Sequence, residues 1–227
     1  MKCIIFDMGG TLMQYEGMPF TWDSFYYLGF KKIAKSLSQN ISNNDIQQSV
    51  NIMKSYNPRY NYRENELSPE YIFSQCLRHW SKTSINYNDV IQSFFEGLKL
   101  SPIIYPDSIA SLQNLKKNFL IASLTDLPTA MPDSLFRKDI ASLIEHLDLY
   151  VSSQTCGYRK PNKAGIFYIA NHFNIPINEI LFVGDEPKDF LTAKNAGCKF
   201  LLLDRNTSIC SHKTINSCSA LCSRLDC

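Results

Sequence analysis

The stretch KCIIFDMGGTL, residues 2–12, decides the fold of this chain. Its apolar run, Cys3–Phe6, is too short for a helix and predicts a strand that is buried on both faces. Asp7 follows at the carboxyl end of that strand, where Gly9 and Gly10 allow a tight turn that can approach a ligand closely. A carboxylate above backbone N–H groups is typical of a nucleophile that attacks an anionic substrate, and an ordinary Asx-turn is the alternative.

The composition restricts the classes of function. Charged residues make up 19% of the 227 residues and the formal net charge is +2, so the chain lacks the basic field that nucleic-acid binding requires. The first residues do not form a signal peptide, and no apolar run approaches the ~20 residues of a membrane span. We therefore expect a cytoplasmic protein that acts on a small molecule, without nucleic-acid or membrane partners, as a monomer or homodimer.

Half of the eight cysteines lie near the end of the chain, at Cys210, Cys218, Cys222 and Cys227. Their spacing matches no zinc motif, and the nearby His212 does not complete one. The apolar residues from Cys218 to Leu225 follow helical spacing, which predicts the buried face of a terminal helix. The other cysteines are scattered singly and indicate core residues in a reducing compartment.

After the first strand the sequence predicts a helical insert. Residues 13–20 contain Gly17 and Pro19, which favour a short hairpin or flap. The hydrophobic periodicity that follows predicts helices at 22–38, 44–56, 69–82 and 88–99. Asn43 and Ser68 are the predicted N-caps of the second and third of these helices.

From Tyr105 onward the chain alternates strand and helix, which predicts a parallel sheet with helices on both faces. Buried apolar runs predict the strands at 3–6, 119–124, 147–152, 180–183 and 199–203. Periodic segments predict helices at 108–117, 134–146, 163–173 and 190–196, with Asp107 as an N-cap and Gly197 as a C-cap. We predict an α/β fold with a core of residues 1–17 and 101–227 and a helical domain at 18–100.

Chemical groups recur at the ends of these predicted strands, namely Asp7, Thr125, Lys160, Asp185 and Asp189. Because ligands bind at the carboxyl ends of parallel strands, we expect these side chains to meet. Two facing carboxylates indicate a magnesium site, since Mg²⁺ prefers hard oxygen ligands, and a lysine and a hydroxyl opposite them could hold phosphoryl oxygens. A plain surface position is the alternative for Thr125 and for Lys160.

A polar and aromatic loop, NPRYNYRENELSP at 57–69, connects the second and third predicted helices and carries Arg59 and Arg63. The favoured interpretation of this loop is a solvated connection. The alternative is that its arginines receive an anionic substrate, because guanidinium groups bind such groups in a bidentate way.

These motifs resemble those of the haloacid dehalogenase-like hydrolase superfamily, and the resemblance covers nearly the whole chain. FDMGGTL is similar to the first family motif, Thr125 after FLIASL to the second, Lys160 in GYRKP to the third and VGDEPKD to the fourth. The helical insert is placed like the family's cap of the C1 type. The resemblance implies a Rossmann-like, five-stranded parallel sheet of order 3-2-1-4-5 with an inserted all-helical cap.

The resemblance also implies roles for the motif residues. Asp7 would form an aspartyl-enzyme intermediate, Thr125 and Lys160 would hold the phosphoryl group, and Asp189 would support the metal site. Magnesium would be held by Asp7, the carbonyl of Gly9 and Asp185. The residues that we predict to contact the substrate are Met8, Gly9, Asp126, Arg59 and Arg63.

Gly9 departs from the pattern of the family's phosphatases, which usually carry there a second aspartate that acts as general acid and base. The leading hypothesis remains a magnesium-dependent phosphatase of a small phosphorylated metabolite, which should be slow on alkyl phosphates unless Glu16 or Glu186 replaces the acid. A dehalogenase is disfavoured because that reaction needs no metal, and family members that catalyse it generally lack an intact acidic pair such as Asp185 and Asp189. Two further hypotheses are a phosphonate hydrolase, which needs a cap lysine such as Lys54, and a binding protein without turnover.

Overall fold

The protein is described by a computed structural model that covers residues 1–37, 40–80, 86–207, 211 and 213–225. Its strands are β1 (Cys3–Phe6), β2 (Met13–Tyr15), β3 (Pro102–Ile104), β4 (Leu120–Thr125), β5 (Leu149–Ser152), β6 (Ile180–Gly184), β7 (Lys199–Leu203) and β8 (Thr214–Ile215). Its helices are α1 (Asp23–Ser36), α2 (Asn43–Ser55), α3 (Pro69–Leu77), α4 (Tyr87–Leu98), α5 (Ser108–Leu115), α6 (Asp133–Asp139), α7 (Ala141–Ile144), α8 (Ser153–Cys156), α9 (Ala164–Phe173), α10 (Pro187–Ala196) and α11 (Cys218–Arg224). The predictions for Ser38, Ser81, Lys82, Cys210, His212 and Cys227 lie outside the described residues.

A parallel sheet forms the centre of the molecule, with strand order β5-β4-β1-β6-β7-β8. The first five of its strands in chain order have the predicted arrangement 3-2-1-4-5. The five-stranded prediction was incomplete, because β8 pairs with β7 as a sixth strand. This strand has only two residues, which is too short for a hydrophobic period to be recognised in the sequence.

Both faces of the sheet are covered, as the alternating pattern predicted. Cys3 and Ile5 of β1 belong to an apolar cluster with α9 and α10, whereas Ile4 and Phe6 belong to a second cluster with α5 and α11. Successive side chains of a strand point to opposite faces, so β1 contributes to both clusters. None of the helices in the described part of the chain has the length and apolar composition needed to cross a bilayer.

The insert consists of α1–α4, and its centre is aromatic. The rings of Phe30 and Phe73 each lie 5.1 Å from that of Phe94 and pack against it edge to face. All three side chains are fully buried. Such pairs stabilise a core beyond the area that they bury.

The strand in the predicted hairpin pairs with a distant segment. β2 runs antiparallel to β3, with Met13 opposite Ile104 and Tyr15 opposite Pro102, so residues 13–20 do not form a local hairpin. The partner strand follows the helical insert. The two connections between the sheet and the insert therefore lie side by side.

Several helix boundaries differ from the predictions. The N-cap of α2 is Ser42 rather than Asn43, because the Ser42 hydroxyl accepts the Asp45 N–H at 3.1 Å, whereas Ser68 caps α3 as predicted. Residues 134–146 form two short helices that meet at Ile140, and α8 lies in a stretch predicted as loop. Asp107 makes no capping bond.

Candidate active site

Asp7 lies directly after β1, where the sheet ends and a tight turn begins. The carbonyl oxygen of Met8 accepts the N–H groups of Thr11, Leu12 and Met13 at 2.9 to 3.2 Å, and these bonds hold the turn. The Met8 side chain is buried in the core, so the predicted substrate contact is not made by that side chain. Gly9 is exposed and faces a cleft above the sheet.

Lys160 stands at the centre of the floor of this cleft, and we use the term floor for Asp7, Lys160, Asp185 and Asp189. Its ammonium donates to Asp7 Oδ1 at 2.7 Å and to Asp189 Oδ1 at 2.6 Å. The Lys160 backbone N–H donates to Asp126 Oδ1 at 3.0 Å, which fixes the loop that carries the lysine. The plain surface position considered for Lys160 is therefore wrong, because the side chain is buried between two carboxylates.

Three carboxylates meet in the floor. Asp7, Asp185 and Asp189 each offer an oxygen atom, and these atoms lie within 4.8 Å of one another. The Thr11 hydroxyl donates to Asp185 Oδ1 at 2.9 Å, and the Glu186 N–H donates to Asp189 Oδ2 at 2.9 Å. The Thr11 hydroxyl therefore orients a carboxylate that lies far away in the sequence.

Two glycines make this close approach possible. Gly10 has φ of +80°, and a Cβ atom there would lie 2.1 Å from Asp185 Oδ2. A Cβ atom on Gly184 would lie 2.5 Å from Asp189 Oδ2. Any larger residue at either position would displace a carboxylate from the floor.

The charges of the floor shift one another's pKa values. Burial raises the pKa of Asp7 well above its usual range, and the neighbouring Asp189 and Asp185 add to the rise against the opposing Lys160. Burial lowers the pKa of Lys160, but attraction from Asp189 and Asp7 outweighs it and raises that pKa. Burial, followed by Asp189, raises the pKa of Asp185 to about 6. Burial is therefore the main cause of the two carboxyl shifts, whereas attraction from the carboxylates causes the rise for Lys160.

The cleft above the floor has a volume of 630 Å³. Thr125, at the end of β4, and Asp126 line it beside the floor, as the sequence predicted for residues at strand ends. Four aromatic side chains also line the cleft, namely Tyr15, Phe20, Trp22 and Phe136, and we use the term aromatic wall for them. The cleft is therefore lined by both charged and aromatic side chains.

The loop between α2 and α3 reaches this cleft. The Arg59 guanidinium donates to both carboxylate oxygens of Glu186, at 2.6 and 2.5 Å, and its carbon lies 3.7 Å from the centre of the Phe20 ring. The loop is also held by backbone bonds from Glu66 N–H to Gly157 and from Arg159 N–H to Glu64. The loop therefore combines both interpretations, since Tyr60 and Tyr62 are exposed to solvent while Arg59 lines the cleft.

Arg63 is not brought to the cleft. Its guanidinium donates to Glu66 Oε1 at 3.0 Å and to the carbonyl of Tyr56, and it is absent from the residues that line the cleft. Lys54 also lies outside the cleft lining. Its ammonium pairs with Asp23 at 2.7 Å, and this contact raises the pKa of Lys54. A lysine that forms a Schiff base needs the opposite shift.

The two proposed substitute acids are placed differently. Glu16 is exposed, accepts a bond from Ser101 and does not line the cleft. Glu186 lines the cleft, but hydrogen bonds from Arg59 overcome the effect of burial and lower its pKa to about 2. A carboxyl group with that pKa is ionised at neutral pH and has no proton to give.

Sequence reasoning missed two sets of residues in the cleft. Lys188 pairs with Asp126 at 3.2 Å, although it stands inside the fourth motif, VGDEPKD, where its charge was a usable signal. The aromatic wall was also missed. Three of its members fall within MQYEGMPFTW, residues 13–22, whose density of apolar side chains in a flap was the available signal.

The chain thus combines a parallel sheet, inserted helices and an acidic floor with a central lysine at the carboxyl ends of the strands. A family model described as haloacid dehalogenase-like hydrolase matches residues 1–197. The chain belongs to the haloacid dehalogenase-like hydrolase family. The resemblance seen in the motifs is thereby confirmed.

Curated relatives and solved structures agree with this assignment. A phosphoglycolate phosphatase of Pasteurella multocida (strain Pm70) is 33% identical over 105 residues, which are 45% of this chain and 46% of that protein. The chain spans about half the length of most of the curated relatives that it matches. The HAD phosphatase from Thermococcus onnurineus superposes on this chain with a TM-score of 0.65 at 17% sequence identity. The superposition covers 99% of this chain and 98% of that protein.

A structure with a different activity is equally similar in fold. The 2-haloacid dehalogenase from Pseudomonas syringae pv. Tomato DC3000 has a TM-score of 0.67 at 14% identity, with 100% of this chain and 98% of that protein covered. Likenesses at such low identity define the fold alone. The reaction has to be argued from the residues of the site.

Proposed function

We propose that the protein is a magnesium-dependent phosphatase that acts on a small phosphorylated metabolite through an aspartyl-phosphate intermediate on Asp7. The observation that carries this proposal is the position of the Lys160 ammonium, 2.7 Å from Asp7 and 2.6 Å from Asp189, where Asp7 and Lys160 line the cleft. A phosphoryl group that approaches Asp7 would meet this ammonium. The curated relatives named phosphoglycolate phosphatase support the same class of reaction.

The donor set of the floor fits a magnesium ion. Its three carboxylates are hard oxygen ligands, and they face a single ammonium, so the site carries an excess of negative charge. Asp7, Asp185, Asp189 and the carbonyl oxygen of Gly9 would hold the ion. When bound, magnesium would supply positive charge that offsets the repulsion between the Asp7 carboxylate and the phosphate oxygens.

The residues of the chain can carry the remaining chemistry. A carboxylate oxygen of Asp7 attacks phosphorus, and the bond from phosphorus to the ester oxygen breaks with its electrons on the leaving oxygen. Lys160 and the hydroxyl of Thr125 would hold the phosphoryl oxygens. Water then attacks phosphorus, which releases phosphate and regenerates the Asp7 carboxylate. Because position 9 is glycine, the leaving oxygen takes its proton from water.

Phosphate release tests this proposal. Acetyl phosphate, 4-nitrophenyl phosphate and phosphoglycolate are offered with magnesium and, in parallel, with a chelator. We expect release that depends on magnesium and is lost in Asp7→Asn. Full activity with the chelator would contradict the metal assignment, whereas saturable binding without release would indicate a binding protein. The cytoplasmic location and the monomeric or homodimeric state stay predictions.

A further inference from the structure

We infer that the site takes a phosphate ester whose organic part is an uncharged aromatic ring, and that the aromatic wall binds this ring. The inference rests on the proposed phosphatase function, because it names the class of substrate for the same site. It follows from three independent features of the cleft: the packing of the wall, the pairing of the cations and the open space beside Gly9.

The inner part of the aromatic wall is rigid. The Tyr15 ring lies 5.1 Å from that of Trp22, edge to face, and 6.5 Å from that of Phe136. The Tyr15 hydroxyl donates to Asp139 at 2.6 Å, which fixes the ring in the wall. Burial and this hydrogen bond raise the pKa of Tyr15, so the phenol stays neutral. A surface that is already ordered loses little conformational freedom when a flat ligand binds to it.

The outer part of the wall is open to solvent. Phe20 is 68% exposed at the cleft, and the Arg59 guanidinium covers one face of its ring. An exposed aromatic side chain that borders a concave site is typical of a ligand-binding surface. A substrate ring placed in the cleft would contact apolar surface without having to displace a charged group.

The cations of the cleft are already paired. Among the described residues that line it, Arg59 pairs with Glu186, Arg159 with Glu66, Lys160 with Asp7 and Lys188 with Asp126. A second anionic group on the substrate, such as a carboxylate, would have to displace one of these partners and leave a charge uncompensated. An uncharged ring would leave these ion pairs intact. The ion pairs therefore favour a substrate with an uncharged ring over one that carries a carboxylate beside its phosphate.

The space beside Gly9 leads to the same class of substrate. A Cβ atom on Gly9 would have no other atom within 4 Å. The position of the usual acid is therefore open, and both carboxylate oxygens of Glu186 accept hydrogen bonds from the Arg59 guanidinium. The leaving group of an aryl phosphate is a stabilised phenolate, which can take its proton from water. An aryl phosphate therefore depends less on a general acid than an alkyl phosphate does.

A binding experiment tests the wall without turnover. Phenylphosphonate and methylphosphonate are titrated into the protein with magnesium by calorimetry, because neither compound has an ester bond to break. We expect phenylphosphonate to bind about tenfold more tightly or better, from ring contacts with the wall. Equal dissociation constants for the two compounds would overturn the inference.

Variants locate the effect. Trp22→Leu and Phe20→Leu should each reduce the preference for phenylphosphonate by about threefold or more and leave methylphosphonate binding unchanged. Phe167→Leu is the matched control, since Phe167 is exposed beneath the Lys163 ammonium at 5.4 Å and lies outside the cleft lining. If Trp22→Leu fails to fold, Phe20→Leu still tests the inference, because Phe20 is exposed and its replacement should not disturb folding. A preference that is unchanged in Phe20→Leu would contradict the inference.

Turnover separates this inference from the proposed function. Benzyl and ethyl phosphate have leaving groups of similar basicity but differ in the ring, so their ratio of kcat/KM reports ring binding. We expect benzyl phosphate to be favoured about tenfold. If no ester releases phosphate but phenylphosphonate is still preferred, the phosphatase fails and the ring site stands. If acetyl phosphate is hydrolysed but rings are not preferred, the ring site fails alone.

Discussion

The floor of the cleft and its aromatic wall are built in different ways. Asp7 and Asp185 follow strands of one sheet, Lys160 lies in the segment after a third strand, and Asp189 lies in the first turn of α10. Their charged atoms are held by partners at 2.6 to 2.9 Å. The wall takes its side chains from β2, from the entry to the insert and from α6. The sheet therefore positions the groups that would react, whereas the segments that surround the sheet supply the side chains that would contact the organic part of a substrate.

Replacing Asp7 should abolish the chemistry of the floor and leave the structure of the aromatic wall unchanged. We expect Asp7→Asn to lower phosphate release by at least about 10³-fold, because an amide cannot form the acyl phosphate. The melting temperature should be unchanged or higher, since the substitution removes a buried charge whose pKa burial raises. Asp89→Asn, at an exposed position of α4, is the control, and equal rates for the Asp7 variant and the parent would exclude Asp7 as nucleophile.

The metal side of the floor is tested at Asp185. We expect Asp185→Ala to raise the magnesium concentration for half-maximal activity by about 100-fold or to abolish activity. Thr11→Val should raise it by about tenfold, because it removes only the hydroxyl that orients Asp185. Magnesium titrations of the three proteins, with a chelated blank, measure the effect. An unchanged requirement in Asp185→Ala would remove that residue from the metal site.

Adding an acid at position 9 should sharpen the comparison, because it alters the chemistry of the floor and leaves the wall intact. We expect Gly9→Asp to narrow the gap in rate between aryl and alkyl phosphates by about 10²-fold. The turn should accept the side chain, because Gly9 has open space around its Cβ and its φ lies outside the left-handed region. Of the two glycines in the turn, only Gly10 has a positive φ.

Rates plotted against leaving-group pKa measure this effect. The parent should show a steep dependence, and Glu186→Gln should keep the slope, because hydrogen bonds from Arg59 hold the pKa of Glu186 at about 2. Glu16→Gln should also keep it, since Glu16 does not line the cleft. A flat line in the parent would mean that another group already donates the proton.

The smallest effects should appear in stability, where Gly97 of the insert should tolerate a side chain less well than Gly9 of the turn beside the floor. A Cβ atom on Gly97 would lie 2.8 Å from the Leu28 carbonyl and 2.9 Å from Gly29 Cα, so α1 and α4 would have to separate. We expect Gly97→Ala to lower the free energy of unfolding by about 1–2 kcal/mol, after its gain in helix propensity. Gly9→Ala should change it by less than about 0.5 kcal/mol. Chemical denaturation checks both, and equal stabilities would contradict the close packing.

Sequence patterns predicted the sheet and the floor well but missed contacts between distant segments. The order of the first five strands and the meeting of Asp7, Lys160, Asp185 and Asp189 were inferred from strand ends and from the family motifs. The pairing of β2 with β3 was missed, because its two strands are separated by the whole insert. The ion pair of Arg59 was missed for the same reason, since its partner Glu186 lies in the last family motif.

The sequence by itself determined which groups can react, because a buried parallel strand has one carboxyl end and the residue that follows it must lie there. Only the tertiary structure decided which of those groups are neutralised and which surface a substrate ring would meet. Lys160 is held by Asp7 and Asp189, Glu186 is ionised by Arg59, and Tyr15 stands beside Trp22. Charge pairing and ring packing depend on separations of a few ångströms between segments far apart in the chain, and hydrophobic periodicity carries no such distances.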